Sequence, residues 1–423
     1  MKKISFWHII IFVAMLSPTF LVRFSLMHHI PTTLFEILIW LLVCVTCVRA
    51  YMYAPVRAMY LKKMHALPLA FLCATILFFI AGIISVFVAP NFFAALGIFK
   101  AYIVDAILFG IVVWLHLEHE DQVWELAAGL SITLFVISVW AVVQKFTGWG
   151  IPNLFWRVAA TRRVTSIFGY PNAVGLYAEL VVPFVCAWAW HVWHTKNTHN
   201  SVALGVNRKK MVYAWCAVVL LCASAAIVFA QSSGTIAALG GTAILFLLYA
   251  RRTRRAALII GIIATTVLFA SPLRKPFADE FLLQGFSGML RVQMWKETVV
   301  MLRQRPIVGA GLAGYQSRVK PFHVFKWAEI YLYPHNLFLT LWSELGALGV
   351  VSFVWIFFML VQFSWRARSK NVGHALILAT CSIIFIHGLV DIPYFKNDLS
   401  ALFWMIVAIA MWLRYTMPTS HDV

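Results

Sequence analysis

Arg162 and Arg163 stand side by side in TGWGIPNLFWRVAATRRVTSIFGYPN (residues 147–172), a stretch that also carries Arg157 and holds no acid. A guanidinium is a planar fork of donors that grips a phosphate or carboxylate through two bonds at once. Such residues either meet lipid phosphates at a membrane surface or line a site for an anionic ligand. His335 follows Pro334 in YLYPHNLFLTLWSELGALGVVSF, where a helix is expected to begin with His335 and Asn336 in its first turn. Imidazole changes charge near neutrality, so a histidine there can cap the helix or move a proton in catalysis. Glu344 lies nine residues further on, about 13 Å down such a helix at 1.5 Å per residue. Finally, VGAGLAGY (308–315) spaces Gly309, Gly311 and Gly314 as G-x-G-x-x-G, the pattern of a dinucleotide pyrophosphate loop.

What these residues can do depends on the elements that carry them. Of the 423 residues, 62% are hydrophobic and 12% charged, about half the charged fraction of a soluble domain. The apolar runs have helix-spanning length, not the roughly 10 alternating residues of a barrel strand. The chain is therefore expected to be an all-α integral membrane protein, a single polytopic domain over 1–423. About twelve spans are expected, near 4–22, 33–48, 66–89, 93–116, 125–146, 173–193, 212–230, 234–250, 256–272, 336–364, 373–390 and 398–413. The opening MKKISFWHIIIFVAML lacks a convincing cleavage site and reads as a retained first helix, not a signal peptide. Lysine and arginine in the short loops set the orientation. MKK, RAYMYAPVRAMYLKKMH (49–65), VNRKK (206–210), RRTRR (251–255), WRARSK (365–370) and Arg414 all fall on one side, read as cytoplasmic with both termini; EHEDQ is the exception.

The basic stretch 147–172 and the one long loop, 273–335, then lie on the outer side. The long loop holds nine basic residues against four acids, an excess that runs against the usual inside bias and points to lipid phosphates or an anionic ligand. SGMLRVQMWKETVVMLRQRP (287–306) stripes Leu290, Met294, Thr298 and Met301 along one face and reads as an amphipathic helix stopped by Pro306. It suits a helix lying on the membrane or lidding a cavity. VGAGLAGY follows it outside the cytoplasm, with no strand–turn–helix context and no acid about 20 residues later, so the glycines read as tight turns. A glutamate as deep as Glu344 is expected to face the bundle and find a partner. Gly346 and Gly349 permit close helix approach.

The seven cysteines lie within apolar runs, so neither a disulfide framework nor a redox role for CVTC (44–47) is indicated. HLEHED (116–121) reads as a solvated loop, so no metal site is expected.

Five motifs in order resemble the O-antigen ligase and O-antigen polymerase family. They are Arg163 to Asn172 (RVTSIFGYPN), Arg291-x3-Trp295, Pro306-x2-Gly309-x-Gly311-x2-Gly314-Tyr315, Pro334-His335-Asn336, and Glu344-x-Gly346-x2-Gly349; HGLVDIP (387–393) also fits. The resemblance covers roughly 160–415. It departs at QSSGT (231–235), where family members often carry Ser-Arg-Gly, so Arg162 or Arg163 is the expected stand-in for that arginine.

The resemblance implies a GT-C-like membrane glycosyltransferase of the bacterial inner membrane, with its active site and long loop in the periplasm. The donor would be a polysaccharide on undecaprenyl pyrophosphate and the acceptor lipid A-core, in lipopolysaccharide biosynthesis, without a cofactor or metal and with inversion. His335 would be the base, and Arg163 and Arg291 would hold the pyrophosphate and stabilise the leaving group; Arg162, Asn172, Trp295, Tyr315 and Asn336 would contact substrate. The single long outer loop and its basic excess favour the ligase. A polymerase of the same family would use the same residues. A transporter or lipid flippase stays open through the embedded acids Asp105, Glu179 and Glu344, although no internal repeat is evident.

Overall fold

The computed structural model describes residues 5–26, 30–194, 206–249, 255, 283–367 and 371–416. The expected span 256–272, most of RRTRR, and the first part of the long loop (273–282) lie outside the described residues.

Long apolar runs become helices here because a helix satisfies its own backbone polar groups where no water can. Among the described residues, eight helices are long and apolar enough to cross a membrane: α2 (Leu34–Met52), α4 (Leu69–Val88), α5 (Phe92–His116), α6 (Glu120–Thr147), α7 (Asn172–His194), α8 (Val206–Ala230), α12 (Leu337–Ala367) and α14 (Asn397–Tyr415). Three shorter apolar helices join them: α1 (Phe6–Met15), α9 (Ser233–Tyr249) and α13 (Val372–Gly388). The protein is a multi-pass membrane protein.

Two elements depart from the expected layout. The connection between α1 and α2 contains a small antiparallel hairpin, β1 (Arg23–Leu26) with β2 (Ile30–Thr33). The basic stretch 49–65 contains a helix of its own, α3 (Ala54–His65), with Pro55 in its first turn, where a missing N–H costs nothing. Buried Lys63 of α3 donates to the carbonyls of Trp114, Leu115 and Leu117 at 3.3, 3.0 and 2.8 Å, capping the end of α5.

Helix α14 is the hub, buried along nearly its whole length. It packs chiefly on the second half of α5, where Gly110 lets the backbone of Trp404 approach. A π-helical turn at Lys100–Val104 within α5 carries Lys100, which pairs with Glu36 of α2 and with Asp105.

The segment 283–335 supplies α10 (Phe286–Gln304), close to the stretch where a helix is expected, and the short α11 (Tyr315–Val319). Between them the glycine stretch inserts into a break in α12. Gly346 leaves helical geometry there, at φ 70° and ψ −174°. The break frees backbone groups that the inserted loop takes up. Ala310 N donates to Ser343 O at 2.6 Å, and Ala347 N donates to Ile307 O at 2.8 Å. The buried Glu344 carboxylate accepts from Ala313 N at 2.7 Å. Gly309 (φ 65°) lies on the carbonyls of Trp342 and Ser343, and Gly311 (φ 81°) lies on Ala89 and Ser85 at the end of α4. Both positions exclude a Cβ on space and on conformation.

The two ends of the bundle differ in character. At one end, α3 and the ends of α2 and α14 carry Arg49, Lys62, Lys63 and Arg414. At the other, the starts of α7, α12 and α14 and the ends of α8 and α13 come together around buried polar groups.

Candidate active site

The site is assembled from four loop–helix junctions. Arg163 leads into the turn before α7. Its Nε donates to Ala230 O (3.0 Å), and one terminal nitrogen donates to Gln231 O (3.3 Å) and to Asn172 Oδ1 (2.9 Å). Asn172, the first residue of α7, passes the chain on, its Nδ2 donating to Asp391 Oδ2 at 3.0 Å. Asp391 Oδ1 in turn lies 3.0 Å from His335 Nδ1 and accepts from Ile392 N at 2.9 Å. Arg163, Asn172, Asp391 and His335 thus form one continuous hydrogen-bonded row drawn from segments more than 200 residues apart.

Asp391 is buried at the turn after α13, its own N–H bonded to His387 O at 2.8 Å. Burial alone would raise its pKa. The His335 and His387 imidazoles, the His335 hydrogen bond and the Arg291 guanidinium outweigh burial and hold the carboxyl well below the usual range. It is an anion at neutral pH.

A carboxylate at Nδ1 fixes the imidazole tautomer, placing the proton on Nδ1 and leaving the Nε2 lone pair to accept another. The His335 side chain is 23% exposed. The backbone of His335 is left-handed (φ 49°), a conformation uncommon outside glycine. The Tyr331 ring stands edge-on to the imidazole at 5.4 Å between centroids.

Arg291, one turn into α10, faces the same centre closely enough for its charge to act on both Asp391 and His387. Its Nε is buried without a hydrogen-bond partner among the described residues. Behind the row, His387 Nδ1 meets Glu179 Oε2 at 2.6 Å, and Gly234 leaves room for the His387 ring.

Other expected site residues have different surroundings. Arg162 turns away from its neighbour. Its NH1 donates to Lys145 O and Phe146 O at 2.9 and 3.1 Å and its Nε donates to Arg157 O at 3.0 Å, so it caps the end of α6. Of the two adjacent arginines, Arg163 is the one that reaches QSSGT, through Gln231.

The helix after PHN starts at Leu337, not at His335. Asn336 is its cap, with Oδ1 accepting from Leu339 N at 3.0 Å and Nδ2 donating to Leu389 O at 2.8 Å. Trp295 Nε1 donates to Pro334 O at 2.9 Å and so holds the backbone beside His335. Tyr315 is buried in a separate small cluster, its hydroxyl 3.0 Å from Thr298, and does not line the row.

Asp391 is the member that residue-by-residue reading passed over. Its signal was present in HGLVDIP, but a carboxylate after a helix has many ordinary explanations, and its partner His335 is 56 residues away. Among the described residues no three His, Cys, Asp or Glu side chains are grouped to share a metal ion.

Fold and site together define a multi-pass membrane protein with an anion–imidazole centre at one end of its bundle, flanked by arginines. The O-antigen ligase family model matches residues 217–354, so this part of the chain is similar to that family, one of glycosyltransferase-type ligases and polymerases in polysaccharide assembly. The match takes in Arg291, the glycine loop, His335 and Glu344. No curated protein matches the chain.

Proposed function

We propose that the protein is an O-antigen ligase, transferring polysaccharide from undecaprenyl pyrophosphate to lipid A-core at the periplasmic face of the inner membrane. The observation that carries the reading is the Asp391–His335 contact, 3.0 Å at Nδ1, beside Arg291 and joined to Arg163 through Asn172. In this reading, His335 Nε2 takes the proton from the acceptor hydroxyl as its oxygen attacks the anomeric carbon of the donor. The new C–O bond forms as the bond to pyrophosphate breaks, the anomeric carbon inverts, and undecaprenyl pyrophosphate leaves with its added charge held by guanidinium groups. Asp391 holds the imidazole in its accepting tautomer and steadies the imidazolium that forms. Charge compensation by arginine makes the reaction metal-independent in this scheme, and activity is expected to survive chelation.

The proposed membrane arrangement is about twelve spans with both termini cytoplasmic. The basic end of the bundle faces the cytoplasm and segment 273–335 forms the long periplasmic loop. The acids that kept a transporter in view each have a local partner: Asp105 with Lys100, Glu179 with His387, and Glu344 with Ala313 N. A polymerase would use the same row of residues on a different acceptor. Lipopolysaccharide from a strain lacking the protein separates the two. Loss of the whole ladder, with long glycan left on the carrier lipid, supports the ligase. A surviving core-plus-one-repeat band without longer chains assigns the polymerase instead.

A further inference from the structure

A cavity of about 440 Å³ opens in the outer segment between the end of α10, α11 and the following turn. Its lining includes Gln304, Arg305, Ser317, Arg318 and Phe322. Arg305 is the residue after α10, and 14 residues separate it from Arg291, about 20 Å along a helix. The cavity is therefore not part of the His335 centre.

Arginines near the end of a helix can cap its carbonyls, and Arg162 does so at the end of α6 with two hydrogen bonds. Arg305 and Arg318 do not. Among the described residues neither guanidinium makes a hydrogen bond or an ion pair, and Arg318 Nε is buried with no partner. A buried donor left unpaired is costly and calls for a partner from outside the chain. The nearest acid along α10, Glu297, is engaged with Gln293, His323 and Val324 N. Arg303 and Lys320, both exposed, add positive charge to the same segment. Two guanidinium forks and the Gln304 amide, with no carboxylate among the described lining residues, suit a phosphoryl group, whose oxygens accept bidentate pairs.

We propose that the Arg305–Arg318 cavity binds a phosphate monoester borne on a saccharide, giving the protein a second hold on a phosphorylated glycan substrate. The saccharide part of this assignment rests on the glycan-transfer reading above; the phosphate part rests on the donors alone.

The test is amide hydrogen exchange of the full-length protein in phosphatidylcholine nanodiscs, with glucose 1-phosphate or inorganic phosphate added. Both additives should slow exchange across 300–322 in a saturable way. An Arg305→Gln/Arg318→Gln variant should weaken that effect by roughly tenfold or more, as expected for loss of two charge-assisted partners. An Arg305→Lys/Arg318→Lys variant should retain part of it, which separates ligand loss from misfolding. No protection in the wild type, or equal protection in the glutamine variant, would overturn the proposal. Protection that instead appears with phosphatidylglycerol in the disc, and is unchanged by glucose 1-phosphate, would overturn the saccharide assignment in favour of a lipid headgroup. No transfer step is involved, so failure of the ligase reading and failure of this site are read separately.

Discussion

Two regions of this molecule invite opposite conclusions from sequence and from structure. The glycine stretch 308–315 and Glu344 carry the most eye-catching patterns, a dinucleotide-like G-x-G-x-x-G and an acid deep in a membrane helix. Yet they serve one another. The loop fills the break at Gly346, and Glu344 holds the Ala313 amide. The region around His335 has no pattern of that strength. It joins Arg163, Asn172, Asp391 and His335 across three helices in a single row with an accessible imidazole. Buried polar residues inside a membrane protein first have to satisfy backbone, and chemistry is left to polar groups that keep an open valence.

Substitutions can break this contrast. In the row, the expected losses are chiefly in turnover. His335→Gln should lower transfer by roughly 10²–10⁴-fold, the usual contribution of a general base, with an unchanged melting temperature. Asp391→Asn should approach that loss, on the order of 10²–10⁴-fold, by releasing the tautomer. The depressed Asp391 pKa fixes a sign. Its ionised form stabilises the fold fully above the unfolded carboxylate range, near pH 4, and that contribution is lost only as pH falls through the lower folded value. The pH–rate profile should therefore carry no Asp391 limb between about pH 4 and 8; a limb there that vanishes in Asp391→Asn would contradict the assignment.

In the glycine region the pattern should invert. Gly309→Ala adds a Cβ against two carbonyls at a left-handed φ. It should cost about 1–3 kcal/mol of stability, seen as a lower melting temperature, while the folded fraction keeps its turnover. Arg162→Gln removes only a helix cap and should cost about 0.3–1 kcal/mol, with transfer within roughly twofold of wild type. A loss like that of His335→Gln would put Arg162 back among the substrate contacts.

The smallest effect concerns Glu297. Burial would raise its carboxyl, but the Val324 amide, Gln293 and His323 outweigh burial and lower it. Its stabilisation of the 320–324 turn is present above the ordinary glutamate pKa, about 4.3, and is lost as pH falls through the lower folded value. Exchange in that turn, corrected for intrinsic rate, should rise on acidification in the wild type. In Glu297→Gln it should be fast and flat between about pH 4 and 7.

Much of the fold was legible because hydropathy alone dictates where helices form in a membrane. The described helices fall close to the expected runs, from Phe92–His116 to Asn397–Tyr415. The α3 helix escaped because a basic stretch is not marked by hydropathy, and the 23–33 hairpin because four-residue strands leave almost no periodicity. For the site, Arg163, Arg291, Asn172 and His335 were found by residue type and by resemblance, and they do converge. What spacing could not decide was which polar residue is engaged by backbone. Arg162 and Arg163 are adjacent with equal chemistry, and only the end of α6 and the Gln231 carbonyl separate their duties. Nor could spacing show that the Tyr315 hydroxyl meets Thr298 within a buried cluster.

The most direct test is transfer by the purified protein, supplied with glycan on undecaprenyl pyrophosphate and with lipid A-core in a chelator-containing buffer. The account predicts glycan-bearing lipid A-core with the wild type and almost none with His335→Gln of equal stability. Transfer at the wild-type rate by His335→Gln, or no transfer by the wild type with both lipids present, would contradict it.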